Sequence, residues 1–301
     1  MNQTPILISV YNRYSHLLQC IESLKSNKSS KFSTLYVTSD APSANEDVEA
    51  VLKIRNYVGQ IEGFKEVILL ENKENKGSFN TIFSAINFVL SKHERLIFLE
   101  DDNIVSRNFL DYMNVCLTYY QHHTSIFSIS GYNYPISLPD NYKYNIYKWP
   151  GFSAWGVGLW KKKWVNINWD IDELHKYITI KENIKKINHK SQSSLPILQY
   201  IINSKKIIID AYIGYYLLKN GQFSIYPCIS KVRNLGHDGT GEHGGITNIY
   251  RNQPIDHDMN FSIYDDPPLN KEIFEILRHH FKLSKKEHFI QYLKKYIMFI
   301  F

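Results

Sequence analysis

Pro5 to Val10 is a continuous apolar run rich in Ile and Val, the pattern of a strand covered on both faces. After a polar break, Leu17, Leu18, Ile21 and Leu24 recur at helical spacing. The pair predicts a strand followed by a helix. Leu35 to Thr38 then predicts a strand before a helix carrying Val48, Val51, Leu52 and Val58, and Val67 to Leu70 precedes Phe79, Ile82, Phe83, Ile86 and Leu90. Arg95 to Leu99 precedes Phe109, Met113, Cys116 and Tyr120 in the same way. Strands alternating with helical periods predict an α/β fold, a mostly parallel sheet with helices on both faces.

Beyond residue 130 the pattern is less regular. Trp149 to Gly156 is an aromatic and glycine segment, closely followed by Trp160, Trp164 and Trp169. Trp160 and Trp164 are four apart, which predicts core packing on one helix face. Lys181 to Lys190 is polar and basic without apolar period and reads as a surface excursion. Ile207 to Ile209 leads into Asp210 and a short helix through Ile213, Tyr216 and Leu217, closed at Asn220-Gly221 by a glycine C-cap. Phe223 to Cys228 reads as a strand, and Asn234 to Gly245 is a glycine-rich loop of the kind that closes over phosphates. Residues 266–301 form a basic amphipathic helical tail, with Ile273, Leu277, Leu293 and Ile297 set among Lys282, Lys285, Lys294 and Lys295. Such a tail lies on an anionic membrane surface or packs against the domain.

The chain has 301 residues, about twice a typical domain, so one large domain with an appendage is expected. Its 44% hydrophobic and 14% aromatic residues supply a substantial core and exclude general disorder. Cys20, Cys116 and Cys228 are odd in number and far apart, fitting neither a disulfide framework nor a zinc site. A reducing cytoplasm is expected. The first ten residues lack the basic start and small-residue cleavage site of an export signal, and no run approaches the ~18 apolar residues of a membrane span. The net charge of +6 is scattered rather than gathered into a stripe, which argues against nucleic acid as a partner.

In parallel sheets, ligands bind outside the carboxyl ends of the strands. Those ends read Tyr11-Asn12-Arg13, Ser39-Asp40-Ala41-Pro42, Glu71 to Gly77 and Glu100-Asp101-Asp102-Asn103, all polar. Three adjacent carboxylates repel one another unless a cation compensates them. A divalent metal is the natural partner, since Mn²⁺ or Mg²⁺ is held by one or two carboxylates plus substrate phosphates. The alternative is a solvated acidic turn in which Asp102 or Asn103 caps the next helix.

Taken together, the first strand ending Tyr11-Asn12-Arg13, Asp40 after the second, Asn75-Lys76-Gly77 opening a helix, and Leu99-Glu100-Asp101-Asp102 resemble a nucleotide-sugar glycosyltransferase of the GT-A fold. The resemblance is to the N-acetylglucosaminyltransferases of the Golgi N-glycan pathway and their bacterial relatives. Trp149-Pro150-Gly151 to Trp155-Gly156 resembles their Phe-Pro-Gly-x-Gly-Trp segment, and Pro227-Cys228-Ile229-Ser230-Lys231 resembles Pro-Glu-Ile-Ser-Arg. The likeness covers residues 4–245. It implies a Rossmann-like GT-A domain over 1–265, with a nucleotide-binding half at 1–130 and an acceptor half at 131–265. It further implies that Asp102 binds the metal, that Glu100 and Asp101 contact ribose or sugar, and that Tyr11, Arg13 and Asp40 frame the base of a uridine-linked donor. Asn75 and Lys76 join the donor set. The plainer readings are a core role for Tyr11, a surface ion pair for Arg13 and a turn role for Asp40.

Transfer with inversion needs a base for the acceptor hydroxyl. Asp210 is the candidate, although the family has two consecutive acids there and this chain has Asp210-Ala211. Helix capping is the alternative role, and Asp170 and Asp172 are the reserve. His243, in the glycine-rich loop with His237, Asp238 and Glu242, is a candidate second metal ligand, and the loop is expected to order over the diphosphate. Trp155 is the tryptophan expected to serve as a platform for a sugar ring. The acceptor implied is a hydroxyl of a glycan or lipid-linked glycan, as in bacterial surface polysaccharide such as lipopolysaccharide. The basic tail would then touch the inner face of the cytoplasmic membrane. Two other readings are a sugar nucleotidyltransferase, which usually has a glycine-rich loop after its first strand that Tyr11 to Ser15 lacks, and a non-catalytic glycan-binding module.

Overall fold

The computed structural model describes residues 3–241, 245–259 and 267–283. β1 (Ile6–Val10) leads into α1 (Tyr14–Lys25), and the unit repeats as β2 (Thr34–Ser39) with α2 (Val48–Val58) and β3 (Glu66–Glu71) with α3 (Gly77–Lys92). β4 (Arg95–Glu100) is followed by a short β5 (Asn103–Val105) and α4 (Phe109–Tyr119). Apart from β5, each element lies where the apolar spacing predicts it. The chain continues through β6 (Ile126–Ser130), β7 (Ile146–Trp149), β8 (Val157–Trp160), α5 (Lys161–Trp164), α6 (Ile171–Thr179), α7 (Lys181–Lys190) and α8 (Ser194–Ser204). α9 (Ile209–Asn220), β9 (Phe223–Pro227), β10 (Val232–Asn234) and α10 (Lys271–His280) complete it.

One sheet has the strand order β3-β2-β1-β4-β8-β6-β9-β7. β1 pairs in parallel with β2 and β4, β2 with β3, and β6 with β9. β8 runs antiparallel between β4 and β6, and β7 runs antiparallel on β9. The sheet is therefore mostly parallel, and both of its faces are covered. Ile6, Ile8 and Val10 of β1 pack in one core with Leu17, Ile54 and Phe109, while Leu7 packs in the other with Ala85, Leu198 and Tyr212. That two-sided burial is why β1 reads as an unbroken apolar run.

The second half departs from expectation in three places. β6 (Ile-Phe-Ser-Ile-Ser) and β8 (Val-Gly-Leu-Trp) are buried on both faces, so neither carries the alternation that separates a short strand from a loop. Trp160 closes β8 while Trp164 closes α5, so the two do not share a helix face. Both remain core, their indole nitrogens donating to Leu117 O at 3.0 Å and Asn87 Oδ1 at 2.9 Å. Lys181 to Lys190, read as an excursion, is the helix α7. It buries Ile187 and Lys190 beside α6, α8 and α9, and its polarity reflects the larger face left to solvent.

Two features position the site. β10 pairs antiparallel with β5, setting Asn234 opposite Asn103, and this ribbon carries the following loop back onto the end of β4. α10 starts at Asn270, whose side chain accepts from Glu272 N at 2.9 Å and Ile273 N at 3.0 Å. It packs Ile273 and Leu277 against Tyr147, Trp149 and Tyr226 of β7 and β9. Residues 284–301, the rest of the expected tail, lie outside the described residues. Among the described residues no helix is long and apolar enough to cross a membrane.

Candidate active site

The parallel strands β1 to β4 end at one rim. Along β4, Leu96 and Phe98 enter the α3 and α9 side of the sheet, and the alternation carries Glu100 to that same side. Asp101 and Asp102 follow on the turn into β5, only 3% and 5% exposed. Asp101 N donates to Ser9 O at 3.1 Å, tying the turn to β1. Arg13, just beyond β1, bridges the two acids. Its Nη2 donates to Asp101 Oδ1 and, at 2.9 Å, to Asp102 Oδ2, and its Nε donates to Asp101 Oδ2 at 3.3 Å. Burial alone would pull the guanidinium down, but Asp101 and Asp102 outweigh it and hold its pKa above the ordinary value. Burial pushes the Asp101 carboxyl up to about 7 even with Arg13 opposing it. One guanidinium thus leaves the two buried carboxyls a positive charge short.

The ribbon completes the surroundings of Asp102. Its Oδ1 accepts from Asn103 Nδ2 at 2.9 Å and Asn234 Nδ2 at 2.6 Å, and its carbonyl accepts from Leu235 N at 2.9 Å. A Cβ on Gly236 would lie 2.0 Å from Asp102 Oδ2 and 3.0 Å from Arg13 Nη1. Only glycine lets the backbone pass there. Gly236→Ala is expected to displace the carboxylate, costing about 1–3 kcal/mol in thermal unfolding and at least tenfold in donor affinity. The loop beyond is anchored: His237 packs edge-on against Trp155 and beside Tyr250, and Asp238 Oδ2 pairs with His16 Nε2 at 3.1 Å. Hydrogen bonds from Thr240, helped by His16, hold the Asp238 carboxyl down to about 2. His243, the expected second metal ligand, lies outside the described residues, as do Glu242 and Gly244.

Asp210 stands in the first turn of α9 and does not cap it, for its Oδ2 accepts from Ala154 N at 3.0 Å. Burial pushes its carboxyl up to about 6, with the Ala154 bond acting the other way. Glu100 is raised well above the ordinary carboxylate range by burial and then by Asp102, Asp210 and Asp101, with Arg13 opposing. Glu100 therefore lies within electrostatic reach of the other three acids. Of the reserve acids, Asp170 caps α6 by accepting from Asp172 N at 2.8 Å and Glu173 N at 3.3 Å, and the exposed Asp172 pairs with Lys205 at 3.7 Å. Trp155 is half-buried among Tyr132, His237 and Tyr250. Among the described residues the buried Tyr132 hydroxyl has no hydrogen-bond partner.

At the far side of the rim, Tyr11 is half-buried rather than core. Its hydroxyl donates to Asp47 Oδ2 at 2.7 Å and accepts from Ser43 N at 2.6 Å, while Asn12 Nδ2 donates to Asp47 Oδ1 at 2.9 Å. Asp40 turns its carboxylate towards the start of α3, accepting from Asn72 Nδ2 at 2.9 Å, Ala41 N at 3.0 Å, Lys76 N at 3.0 Å and Gly77 N at 2.9 Å. It staples β2 to α3. Asn75 Nδ2 donates to Ala41 O at 2.7 Å, and the Lys76 side chain is exposed. Sequence reasoning missed Asn234 and Gly236, which lay inside the glycine-rich run it had marked, and Tyr132 and Tyr250, for which the sequence held no signal.

Residues 6–153 match the family model described as glycosyl transferase family 2. The chain carries a domain of that family. Its helix-flanked, mostly parallel sheet is the Rossmann-like GT-A fold. Among solved structures, the mannosyltransferase PcManGT from Pyrobaculum calidifontis, in complex with GDP-Man and Mn²⁺, is similar at 14% identity and a TM-score of 0.38, over 53% of this chain and 45% of that one. TarS of S. aureus is similar at 14% identity and a TM-score of 0.35, over 53% of this chain and 28% of its own. The glycosyltransferase GlyE of Streptococcus pneumoniae TIGR4 is similar at 14% identity and a TM-score of 0.35, over 74% of this chain and 45% of its own. The chain thus spans less than half the length of these proteins. No curated protein matches it. The glycosyl transferase family 2 segment holds Arg13, Glu100, Asp101 and Asp102, whereas Asp210, Asn234 and Gly236 come from the chain beyond it.

Proposed function

We propose that the chain is a metal-dependent, inverting glycosyltransferase. It moves a sugar from a nucleotide diphosphate donor, uridine-linked by resemblance, to a hydroxyl of a glycan or lipid-linked glycan in bacterial surface polysaccharide synthesis. The reading rests on one observation: Asp101 and Asp102 are buried side by side at the rim of β4 with a single guanidinium between them. Among the described residues no three His, Cys, Asp or Glu side chains converge as a self-sufficient metal cage. The donor set fits a hard divalent cation in the other common mode, with one or two carboxylates completed by substrate phosphates. Asp102, through Oδ2, and Asp101 would hold Mn²⁺ or Mg²⁺, which when bound neutralises charge on the departing diphosphate.

The chain's own residues supply the rest. Arg13 offers a second positive charge to the same phosphates. Glu100, whose carboxyl is pushed up by burial and its acidic neighbours, contacts sugar or ribose. Asp210 takes the acceptor hydroxyl's proton as that oxygen bonds to the anomeric carbon and the bond to the diphosphate oxygen breaks. Trp155 walls the sugar, while Tyr11, Asp40, Asn75 and Lys76 shape the base side.

A panel of nucleotide sugars with Mn²⁺ or EDTA, scored by thermal shift and donor hydrolysis, tests the reading. One donor is expected to raise the melting temperature only with the metal. A chelator-insensitive shift with every donor would remove the metal, and no shift with any donor would leave a glycan-binding module.

A further inference from the structure

The transferase reading leaves a cavity between α7, α9 and α10 without a role. It is an open depression of about 360 Å³ lined by Lys185, Lys186, His189 and Lys190 with Pro150, Leu218 and Phe274. Among the described residues, four basic side chains face it and no carboxylate does. At spacings of one, three and four residues they occupy a single flank of the last two turns of α7. The carboxyl end of a helix favours cations through its dipole. That accounts for basic residues at the rim but not for one buried beneath a cavity.

Lys190 is that buried residue. It is 8% exposed, and among the described residues its ammonium has neither a hydrogen bond nor an ion pair. A Cβ on Gly214 would lie 3.3 Å from Lys190 Nζ, so α9 presents a glycine where the ammonium rests. Burial pushes the ammonium down to about 8, which leaves it largely charged at neutral pH. Burial of the side chain disfavours its charged form, and an anion bound beside the ammonium offsets that. The other walls are apolar, with the Phe274 ring 5.3 Å from that of His189. They offer nothing to a bare inorganic ion.

We infer that this cavity binds the phosphate of an amphiphile, its anionic head on Lys186, His189 and Lys190 and its apolar part against Leu218 and Phe274. Leu218 lies two turns along α9 from Asp210, about 12 Å, so the inference does not depend on the chemistry at the acidic turn.

Calorimetric titration of the full chain with dihexanoyl phosphatidic acid below its micellar concentration tests it, alongside inorganic phosphate and dihexanoyl phosphatidylcholine. Saturable one-to-one binding of phosphatidic acid is expected, weakened about tenfold or more by Lys190→Met and by Lys186→Gln. Inorganic phosphate and phosphatidylcholine are expected to bind far more weakly. Lys186 is exposed, so its variant keeps the test readable if Lys190→Met fails to fold. Inorganic phosphate binding as tightly as phosphatidic acid overturns the inference. So does phosphatidic acid that fails to bind, or that binds the folded variants as well as the parent.

Discussion

Asp210→Asn is expected to slow sugar transfer by about 10²–10⁴-fold while leaving donor binding nearly intact, the usual effect of removing a general base. The Asn side chain still accepts from Ala154 N, so the geometry at the start of α9 is kept and only the proton acceptor is lost. In the parent, kcat/KM should climb as pH rises through about 6, because the carboxyl must ionise before it can take a proton. Stability should move the opposite way. A carboxyl whose folded pKa is raised from the ordinary ~4 favours the native state below pH ~4 and loses that contribution as pH rises to about 6. Above pH 6 the parent carries an ionised, poorly solvated carboxylate that the variant lacks. Asp210→Asn should then be the more stable protein by on the order of 1–3 kcal/mol, a difference that vanishes near pH 4. Transfer rates and thermal unfolding at the two pH values check both halves. A variant that transfers at the parental rate would show that another group is the base.

Asp102→Ala is the second variant with a large effect. It removes the carboxylate on which Arg13, Asn103 and Asn234 converge. Metal-dependent donor turnover should fall by about 10³-fold or more, since the role proposed for this carboxylate is to hold the ion that stabilises the leaving diphosphate. The abandoned amide and guanidinium donors should cost a further 1–3 kcal/mol or so of stability. Mn²⁺-dependent thermal shift with donor, absent in the variant and present in the parent, separates loss of the ion from loss of the fold. Parental turnover in a folded Asp102→Ala protein would remove the metal mechanism.

The sequence disclosed what depends on short-range pattern. β1 and β4 carry unbroken apolar runs because both of their faces are covered, and the acids at the end of β4 are conspicuous because they interrupt such a run. Asp210 is marked the same way, as an acid directly after Ile207 to Ile209. What could not be read are pairings between distant positions. Arg13 reaches Asp101 across 88 residues and Asn234 reaches Asp102 across 132, and both contacts depend on strand order and on the β5–β10 register. β6 and β8 escaped because four or five buried residues carry no period of their own. Lys190 escaped because its polarity argued for water while the packing of α7 on α9 put it inside.

The antiparallel insertion of β8 beside β4 bears on how this protein can be taken apart. The family 2 segment stops at residue 153, just before β8, so a fragment cut there would leave the middle of the sheet as a raw border, open to pairing with another molecule. It would also strip the acidic turn of the asparagine and glycine that shape it. A transplant meant to carry this chemistry to another scaffold must therefore include both stretches of chain, and a library confined to the amino-terminal half would sample only half of the machinery.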